Sequence, residues 1–555
     1  MRRCWLVGYS VLLVALVAAA PIGAQSQPAT GRDVVVIATV FEPDSLNPMF
    51  SENTIGVDIY ATIFTMDVAR DNDTWRVFPQ GVEYLPNVRT GTWTVDGEKM
   101  RLVWRIKPRL WHDGRPVTCT DYVFSHTVAR DKRVGVRSVF TSRIATVSCP
   151  QGAGGLEIAV QWNERYAYAN QMVTPFGPLP RHIIEPFYRA NPSSLRDMPY
   201  GNDPKGTIGD GPYRLVEWRR GLSVTVEAVA DHHIFGTPKI RRITWRIFPD
   251  MDTVVANLLS GAIDAVSNYG GFSFAYALEV ERKSGGRVKV FWQPGLAWEH
   301  VDFNLDNPLL ADVRVRRALA HGINRVQISQ VLFGGRQPVS HSYLPVRHPG
   351  YTEAVEKYPY DPVRARRLLQ EAGLTPGPDG MMRNNAGQRL QLELNSNTGP
   401  SFRHQIEQII QQQLRQIGVD ITILNYPSRV LYSEILGRRK FKALAEYSWG
   451  ISPEMSCNLL YTLDNIPSER NNWMGLNYPG YRNDEMDRIC KAINRELDEE
   501  KRIRLLNESA RIFARDLPAL PLFTRLALGA ARPGLRNLVI GVWPMTWNAH
   551  RWYWE

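Results

Sequence analysis

Residues 102–125 read LVWRIKPRLWHDGRPVTCTDYVFS, and this stretch predicts a strand, a tight turn and a helix in direct succession. Apolar residues occupy every second position from 102 to 106, which is the period of a strand with one buried face. The HDGRP run at 112–116 contains residues that favour turns. A helix is then expected to open at Thr120 and Asp121, because short polar side chains cap helix N-termini.

Further short blocks follow along the chain in a fixed order: FEPDSLNP at 41–48, TIGDGPY at 207–213, GAID at 261–264, HVDFN at 300–304 and FKALAEYSWGIS at 441–452. Together with the first stretch, these blocks closely resemble the signature of the family 5 extracellular solute-binding proteins, the peptide-binding receptors of ABC importers. The resemblance covers nearly the whole chain after its N-terminal segment. One departure is Asp210, which stands where the family pattern has threonine.

Length and composition set independent limits. The sequence has 555 residues, and a single hydrophobic core rarely serves more than about 250–300, so two or more lobes are expected. The hydrophobic fraction of 44% and the charged fraction of 22% are those of an ordinary soluble globular protein. The net charge of +11 comes from scattered basic residues without a stripe, so we expect no nucleic-acid partner.

The N-terminus has the pattern of an export signal. Two arginines precede an apolar run at 5–20, and small residues follow it up to Ala24. We therefore predict a signal peptide over residues 1–24, cleavage after Ala24, and a periplasmic location. The alternative is a retained anchor helix, although the run is shorter than the roughly 20 residues of a comfortable membrane span.

Four cysteines remain after the signal segment: Cys119, Cys149, Cys457 and Cys490. An even number in an oxidising compartment suggests disulfides, with three possible connectivities. The pairing of neighbours in sequence, Cys119 with Cys149 and Cys457 with Cys490, is favoured, and free buried thiols are the alternative. No C-x-x-C spacing occurs, so we predict neither a metal site nor a cofactor from these residues.

Helical and strand patterns alternate through the second half of the chain. Apolar residues at helical spacing run from Asp361 to Gly373 and again from Ser401 to Gly418, and a strand pattern follows at 419–424. Such alternation predicts an α/β protein in which helices cover mixed sheets.

The family resemblance implies a more specific architecture. It is the two-lobed periplasmic-binding-protein fold of type II, with a hinge between the lobes and an extra subdomain inserted in the first. The implied bounds are 33–64, 176–289 and 517–555 for lobe I, 65–175 for the inserted subdomain and 290–516 for lobe II.

The resemblance also places the ligand between the lobes. The implied ligand-binding residues are Phe41, Glu42, Tyr269, Asn304, Glu446, Tyr447, Trp449, Ser452 and Trp473. In peptide-binding members of the family, an aspartate after the strand that ends here at Trp449 holds the peptide's α-amino group. This chain lacks that acid, and Glu446, Glu454 or Glu42 is the candidate replacement.

These features predict the substrate-binding component of an ABC importer, a monomer that captures a peptide-like solute and delivers it to permease subunits in the inner membrane. An oligosaccharide or another non-peptide solute is the alternative, because the acid is missing and the chain has 16 tryptophans. A secreted hydrolase built on His112 and Asp113 is a remote alternative. Because the sequence has no Gly-x-Ser-x-Gly or His-Glu-x-x-His motif, we expect no enzyme activity.

Overall fold

The computed structural model describes residues 32–555 except 137, 139, 400, 453 and 456. The predicted signal peptide and its cleavage after Ala24 lie outside the described residues. Within them the chain alternates strands and helices, which confirms the predicted α/β class. Over the same residues, no helix has both the length and the apolar character needed to cross a membrane.

The strands of the described residues are β1 (Val34–Thr39), β2 (Val68–Arg70), β3 (Val77–Pro79), β4 (Trp93–Asp96), β5 (Lys99–Arg105), β6 (Ile144–Ser148), β7 (Glu157–Trp162), β8 (Tyr213–Arg219), β9 (Ser223–Ala228), β10 (Arg242–Ile247), β11 (Ala265–Ser267), β12 (Lys289–Phe303), β13 (Thr375–Pro376), β14 (Met382–Arg383), β15 (Gln391–Asn397), β16 (Asp420–Tyr426), β17 (Leu444–Gly450), β18 (Ala519–Ala531), β19 (Leu535–Arg536) and β20 (Tyr553–Trp554).

The α-helices of the same residues are α1 (Thr54–Ile63), α2 (Cys119–Arg130), α3 (Arg181–Ala190), α4 (Met251–Ser260), α5 (Phe274–Ser284), α6 (Pro308–Ala311), α7 (Val313–Gly322), α8 (Arg325–Phe333), α9 (Pro362–Glu371), α10 (Ser401–Gln416), α11 (Ser428–Val430), α12 (Asn458–Tyr461), α13 (Asp484–Ile493) and α14 (Glu499–Asp516). Short 3₁₀ turns and one π-helical turn at Leu431–Leu436 complete the helical structure.

Ten strands form one continuous mixed sheet in the order β16-β15-β17-β12-β18-β11-β1-β10-β9-β8. At one end β1 runs parallel to β10 and β11, and at the other end β15 runs parallel to β16 and β17. In the middle, β12 and β18 are the longest strands and pair with each other along most of their length. These two strands therefore connect the two halves of the sheet.

The pairing of β12 with β18 is interrupted between Pro294 and Trp298. Gly295 lies in this interruption, where an added Cβ would stand 2.5 Å from the carbonyl oxygen of Arg525. Only a glycine allows the two backbones to approach so closely. We propose that the predicted hinge lies here, at the junction of the two halves of the sheet.

Each half of the sheet has its own hydrophobic cores. In the first half, one core lies under α4 and α5 and another under α1 and the C-terminal segment. In the second half, α7 to α10 cover one face, and α12 to α14 cover the other. Both crossing strands contribute to both halves. In β18, Leu520 and Leu522 belong to a second-half core, and Leu528 and Ala530 to a first-half core. In β12, Val301 and Phe303 belong to that second-half core, and Val290 and Trp292 pack against that first-half core. We therefore propose that the lobe boundaries lie in the middle of β12 and of β18, later in the chain than the predicted boundaries at 290 and 516.

A separate sheet of four antiparallel strands, in the order β4-β5-β7-β6, stands apart from the large one. It packs against α2 and has its own core of residues between Val82 and Val173. The stretch 102–125 supplies most of β5, one of the two central strands, and the start of α2. There Asp121 accepts a hydrogen bond from the Thr118 amide at 2.9 Å. These observations support the proposed inserted subdomain at 65–175.

Two disulfides join the cysteines in the sequence-near pairing, Cys119 with Cys149 and Cys457 with Cys490. The first fixes the start of α2 to the segment that follows β6 in the inserted subdomain. The second joins the segment before α12 to α13 in the second half of the chain.

Candidate functional site

A cavity of about 460 Å³ lies where three parts of the chain meet. The inserted subdomain contributes residues from segments 68–77 and 140–172. The second lobe contributes Ser452, Glu454, Met455, Asn458, Leu459 and Asn494, and the C-terminal segment contributes Trp543. Concave sites of a few hundred Å³ with mostly apolar walls and few polar groups are typical of small-molecule binding sites. The cavity therefore is the main candidate for a ligand site.

A second cavity of about 210 Å³ lies beside the first. The two share Val68, Gln171, Met172 and Trp543 in their walls. The two cavities therefore lie next to each other and share part of their walls.

Two acids in the wall of the second cavity, Asp67 and Asp210, are held by the buried guanidinium of Arg109. Arg109 donates to Asp210 Oδ2 at 2.6 Å and to Asp67 Oδ1 at 3.1 Å, and also to the hydroxyl of Tyr122 at 2.8 Å. Arg109 comes from the basic turn of the quoted stretch. The departure from the family pattern at Asp210 thus has a structural reason, because the carboxylate pairs with that arginine.

His112 in the same turn has a structural role. Its Nε2 donates to the carbonyl of Gly211 at 2.9 Å, and its Nδ1 accepts from the amide of Gly209 at 3.2 Å. Burial lowers the pKa of His112 below its ordinary value. Its neighbour Asp113 pairs with His182 at 2.7 Å. The two residues considered for a hydrolase, His112 and Asp113, therefore contact different partners.

An ion pair crosses the wall of the main cavity. Arg70 of the inserted subdomain pairs with Glu454 of the second lobe, and its guanidinium also donates to the carbonyl of Trp75 at 2.6 Å and to Gln171 Oε1 at 2.9 Å. The Arg70 side chain is 6% exposed and that of Glu454 is 26% exposed. Burial lowers the pKa of Arg70 to about 10, and the group remains a cation at neutral pH.

Of the nine residues predicted to bind ligand, Ser452 lies in the wall of the main cavity. It follows β17, whose last residues Trp449 and Gly450 lead into the loop that lines the cavity. The other eight are absent from the described walls of these two cavities. Each of them makes other contacts within the protein or is exposed.

Glu446 and Tyr447 point to opposite faces of β17, and both are buried. Glu446 accepts a hydrogen bond from Ser396 at 2.8 Å and lies 3.6 Å from the guanidinium of Arg403. Burial, with a further contribution from the nearby Glu299, raises its pKa well above the ordinary value. Tyr447 donates its hydroxyl hydrogen to Asp302.

Trp449 is half-buried, and its ring packs 5.8 Å from that of Tyr447 and 5.9 Å from that of Tyr478. This aromatic group supports the end of β17 before Ser452. Trp473 has a left-handed backbone, with φ of 60°, and its ring lies 5.1 Å from the Arg438 guanidinium.

The remaining predicted residues make local contacts. Phe41 is 49% exposed, and Glu42 accepts hydrogen bonds from Trp218 Nε1 and the amide of Gly221 at 3.3 and 3.1 Å. Tyr269 donates to the carbonyl of Val542 at 2.8 Å, one residue before the cavity residue Trp543. Asn304 donates to the carbonyl of Phe441 at 2.6 Å.

Sequence reasoning missed Arg70, Arg143 and Trp543 in the cavity wall. Arg70 ends a three-residue strand, and Trp543 lies in a C-terminal loop. The sequence around a single arginine or tryptophan in a short strand or loop does not show whether its side chain lines a cavity or lies on the surface. Only the packing of three distant segments brings them together.

Comparisons with known proteins identify the family. Residues 83–467 match the model for bacterial extracellular solute-binding proteins, family 5 Middle. Oligopeptide-binding protein AppA of Bacillus subtilis is 25% identical over 476 residues, which are 84% of this chain and 81% of AppA. Glutathione-binding protein GsiB of Salmonella typhimurium is 27% identical over 349 residues, 60% of this chain and 62% of GsiB.

Solved structures share the fold. The oligopeptide binding protein of Thermus thermophilus, complexed with a pentapeptide, aligns with a TM-score of 0.67 and 26% identity over 94% of this chain and 96% of its own. HbpA2 of Haemophilus parasuis aligns with a TM-score of 0.77 and 18% identity over 94% of this chain and all of its own, which shows the fold alone. The predicted two-lobed fold is thereby confirmed, and this chain belongs to the family 5 bacterial extracellular solute-binding proteins.

Proposed function

We propose that this protein is the substrate-binding component of an ABC importer, which captures a peptide-like solute and delivers it unchanged to permease subunits in the inner membrane. AppA is named for oligopeptide binding and GsiB for glutathione binding, and the Thermus thermophilus protein was solved with a pentapeptide. These relatives support a peptide-like solute over an oligosaccharide. The exported protein is proposed to act as a periplasmic monomer after removal of residues 1–24.

The main cavity is the observation that carries the proposal. The cavity, of about 460 Å³, lies between residues of the inserted subdomain, the second lobe and the C-terminal segment. Closure of two lobes around a ligand removes the ligand from water. Closure also changes the outer surface of the protein, and a partner can recognise this change as a sign that ligand is bound. A binding role needs this geometry and no nucleophile, so we propose that the protein is not an enzyme.

Ser452 is the proposed ligand contact from the predicted set. Trp449 is proposed to support this contact, because it lies near the end of β17, three residues before Ser452. An extended peptide also bonds main chain to main chain in such a cleft, which gives affinity with little regard to side chains.

The test is a thermal-shift screen of the exported chain against pools of short peptides and of oligosaccharides. A ligand present at 100 times its Kd stabilises the folded state by about 2.7 kcal/mol, and a peptide pool is expected to produce such a shift. Mass spectrometry should recover the peptide intact. A shift with oligosaccharides alone contradicts the peptide class, and recovery of a cleaved peptide contradicts the binding role.

A matched pair of variants locates the site. Leu459 lines the cavity and is 42% exposed, so Leu459→Trp fills the space from a position that tolerates a larger side chain. We expect it to weaken peptide binding by more than about tenfold. Val331 on α8 is 64% exposed, and Val331→Trp should leave the affinity unchanged. Equal affinities for the two variants would contradict the proposed location.

A further inference from the structure

The charges in the wall of the main cavity are unbalanced. Among the described residues that line it, Glu454 is the one acid, whereas Arg70 and Arg143 are both cations. Glu454 is already paired with Arg70, as described above. The wall therefore offers no free counter-charge to a cationic ligand group and retains one cation, Arg143.

The Arg70–Glu454 pair is not readily exchanged for a ligand ammonium. The Arg70 guanidinium is fixed by three partners and lies almost completely out of water. A ligand ammonium that took Glu454 would leave this buried guanidinium without its counter-charge, which is strongly unfavourable. The internal arginine thus occupies the position that a positively charged ligand group would need.

Arg143 is in a different situation. Its side chain is 33% exposed, and its guanidinium lies 5.3 Å from the ring of Tyr166 and 5.9 Å from that of Phe140. Its acidic partner, Glu164, lies 3.0 Å away and has a side chain that is 49% exposed. Glu164 is not among the described residues that line the cavity. Exposed ion pairs of this kind are weak, and a planar guanidinium held against aromatic rings suits a ligand carboxylate.

The rest of the wall is mainly apolar. Val68, Val77, Met172, Met455 and Leu459 surround the space. Methionine side chains adapt to apolar groups of different shapes. The wall can therefore accept a large apolar side chain.

We propose that the cavity selects a peptide-like solute whose enclosed part carries a carboxylate and a large apolar side chain, with no ammonium group, and that Arg143 binds the carboxylate. This inference rests on the proposed function, since it names the solute class of the same site. A solute with a blocked or distant amino group fits best.

The experiment compares four forms of one tripeptide of phenylalanine and leucine by calorimetry: unmodified, N-acetylated, C-amidated, and modified at both ends. N-acetylation is expected to keep or improve the affinity, and amidation to weaken it by about tenfold. Arg143→Gln should remove the difference between acid and amide. Arg133→Gln is the matched control, because Arg133 lies on the same subdomain with a 66% exposed side chain paired to Asp131 and outside the cavity wall.

A second pair of variants tests the internal counter-charge. Arg70→Gln frees Glu454, and the unmodified peptide should then gain affinity over the N-acetylated form by about tenfold. Should Arg70→Gln fail to fold, Glu454→Gln frees the Arg70 cation, and carboxylate forms should bind more tightly to it. Both results support the inference.

Loss of binding on N-acetylation, or an unchanged preference for the acid in Arg143→Gln, overturns the inference and leaves the proposed function standing. Failure of all four forms and of every peptide pool to bind overturns both. The two failures are therefore distinguishable in one set of titrations.

Discussion

Tyr447 of β17 donates its hydroxyl hydrogen to the carboxyl group of Asp302 on the neighbouring strand β12, and both side chains are buried. His300 lies on the same face of β12, with its Nε2 3.5 Å from Asp302 Oδ1. Burial raises the pKa of Asp302 to about 8 and lowers that of His300 to about 3. Both groups are therefore uncharged in the folded protein at mildly acidic pH.

The first prediction concerns the pH dependence of stability. The folded-state pKa of Asp302, about 8, lies above its ordinary value of 3.8, so the folded state holds a proton that the unfolded state releases. This contribution to stability is complete below about pH 4 and is lost as the pH rises to about 8, by about 1.4 kcal/mol per pH unit for one proton. Asp302→Asn should remove this loss. Denaturant unfolding of both proteins at pH 5 and pH 8 measures the loss. An equal change in unfolding free energy in the two proteins would contradict the raised pKa of Asp302.

The second prediction separates stability from binding at Tyr447. Tyr447→Phe leaves the buried Asp302 without its donor and should cost about 1–3 kcal/mol of unfolding free energy. Because Tyr447 is buried and lies outside the cavity walls, the affinity for peptide should change by less than about twofold. A variant that keeps its stability and loses binding would instead support the ligand role that the sequence predicted for this residue.

The two outcomes at β17 show what the sequence can and cannot tell. Strand alternation alone puts Glu446 and Trp449 on opposite sides of β17, since the period of a strand is local. It could not tell what covers each face, because Arg403 and Asp302, which contact Glu446 and Tyr447, come from other elements. Ser452 could be predicted because it lies only two residues after the end of β17.

Elements with local signals were predictable for the same reason. The bounds of α9 and α10 follow from apolar spacing and from Asp361, which caps α9. Asp210 was recognised as a departure from the family pattern, yet its partner Arg109 lies 101 residues earlier in the chain. The cavity wall as a whole depends on contacts between such distant segments.

The third prediction concerns Arg109. Arg109→Met leaves Asp67 and Asp210 buried without their shared cation and should cost about 3–5 kcal/mol. Arg115→Met in the same turn is the control, because its side chain is 64% exposed and 3.9 Å from Asp113, and it should cost less than about 1 kcal/mol. Chemical denaturation compares the two.

A rescue variant shows whether charge is the cause. Arg109→Met combined with Asp67→Asn and Asp210→Asn removes the uncompensated carboxylates and should recover part of the lost stability. Absence of any recovery would attribute the loss to packing of the Arg109 side chain instead.

The last prediction distinguishes the two disulfides by function. They close loops of 30 and 33 residues. Closing a loop of this size lowers the entropy of the unfolded chain and raises the free energy of unfolding by about 3–4 kcal/mol. Replacing either pair of cysteines by alanine should therefore cause a similar loss of stability. Cys457 directly precedes the cavity residues Asn458 and Leu459, whereas the Cys119–Cys149 bridge lies within the inserted subdomain.

The two alanine pairs should therefore differ in binding. Without the Cys457–Cys490 bridge, Ser452 and the start of α12, which carries Leu459, are less restrained. The affinity should fall by about tenfold because the binding conformation must be ordered by the ligand. Without the Cys119–Cys149 bridge the affinity should remain within about twofold. Calorimetry well below the unfolding temperature of each variant measures the difference. An equal loss of affinity in both variants would mean that global stability, and not the local restraint of Ser452 and Leu459, controls binding.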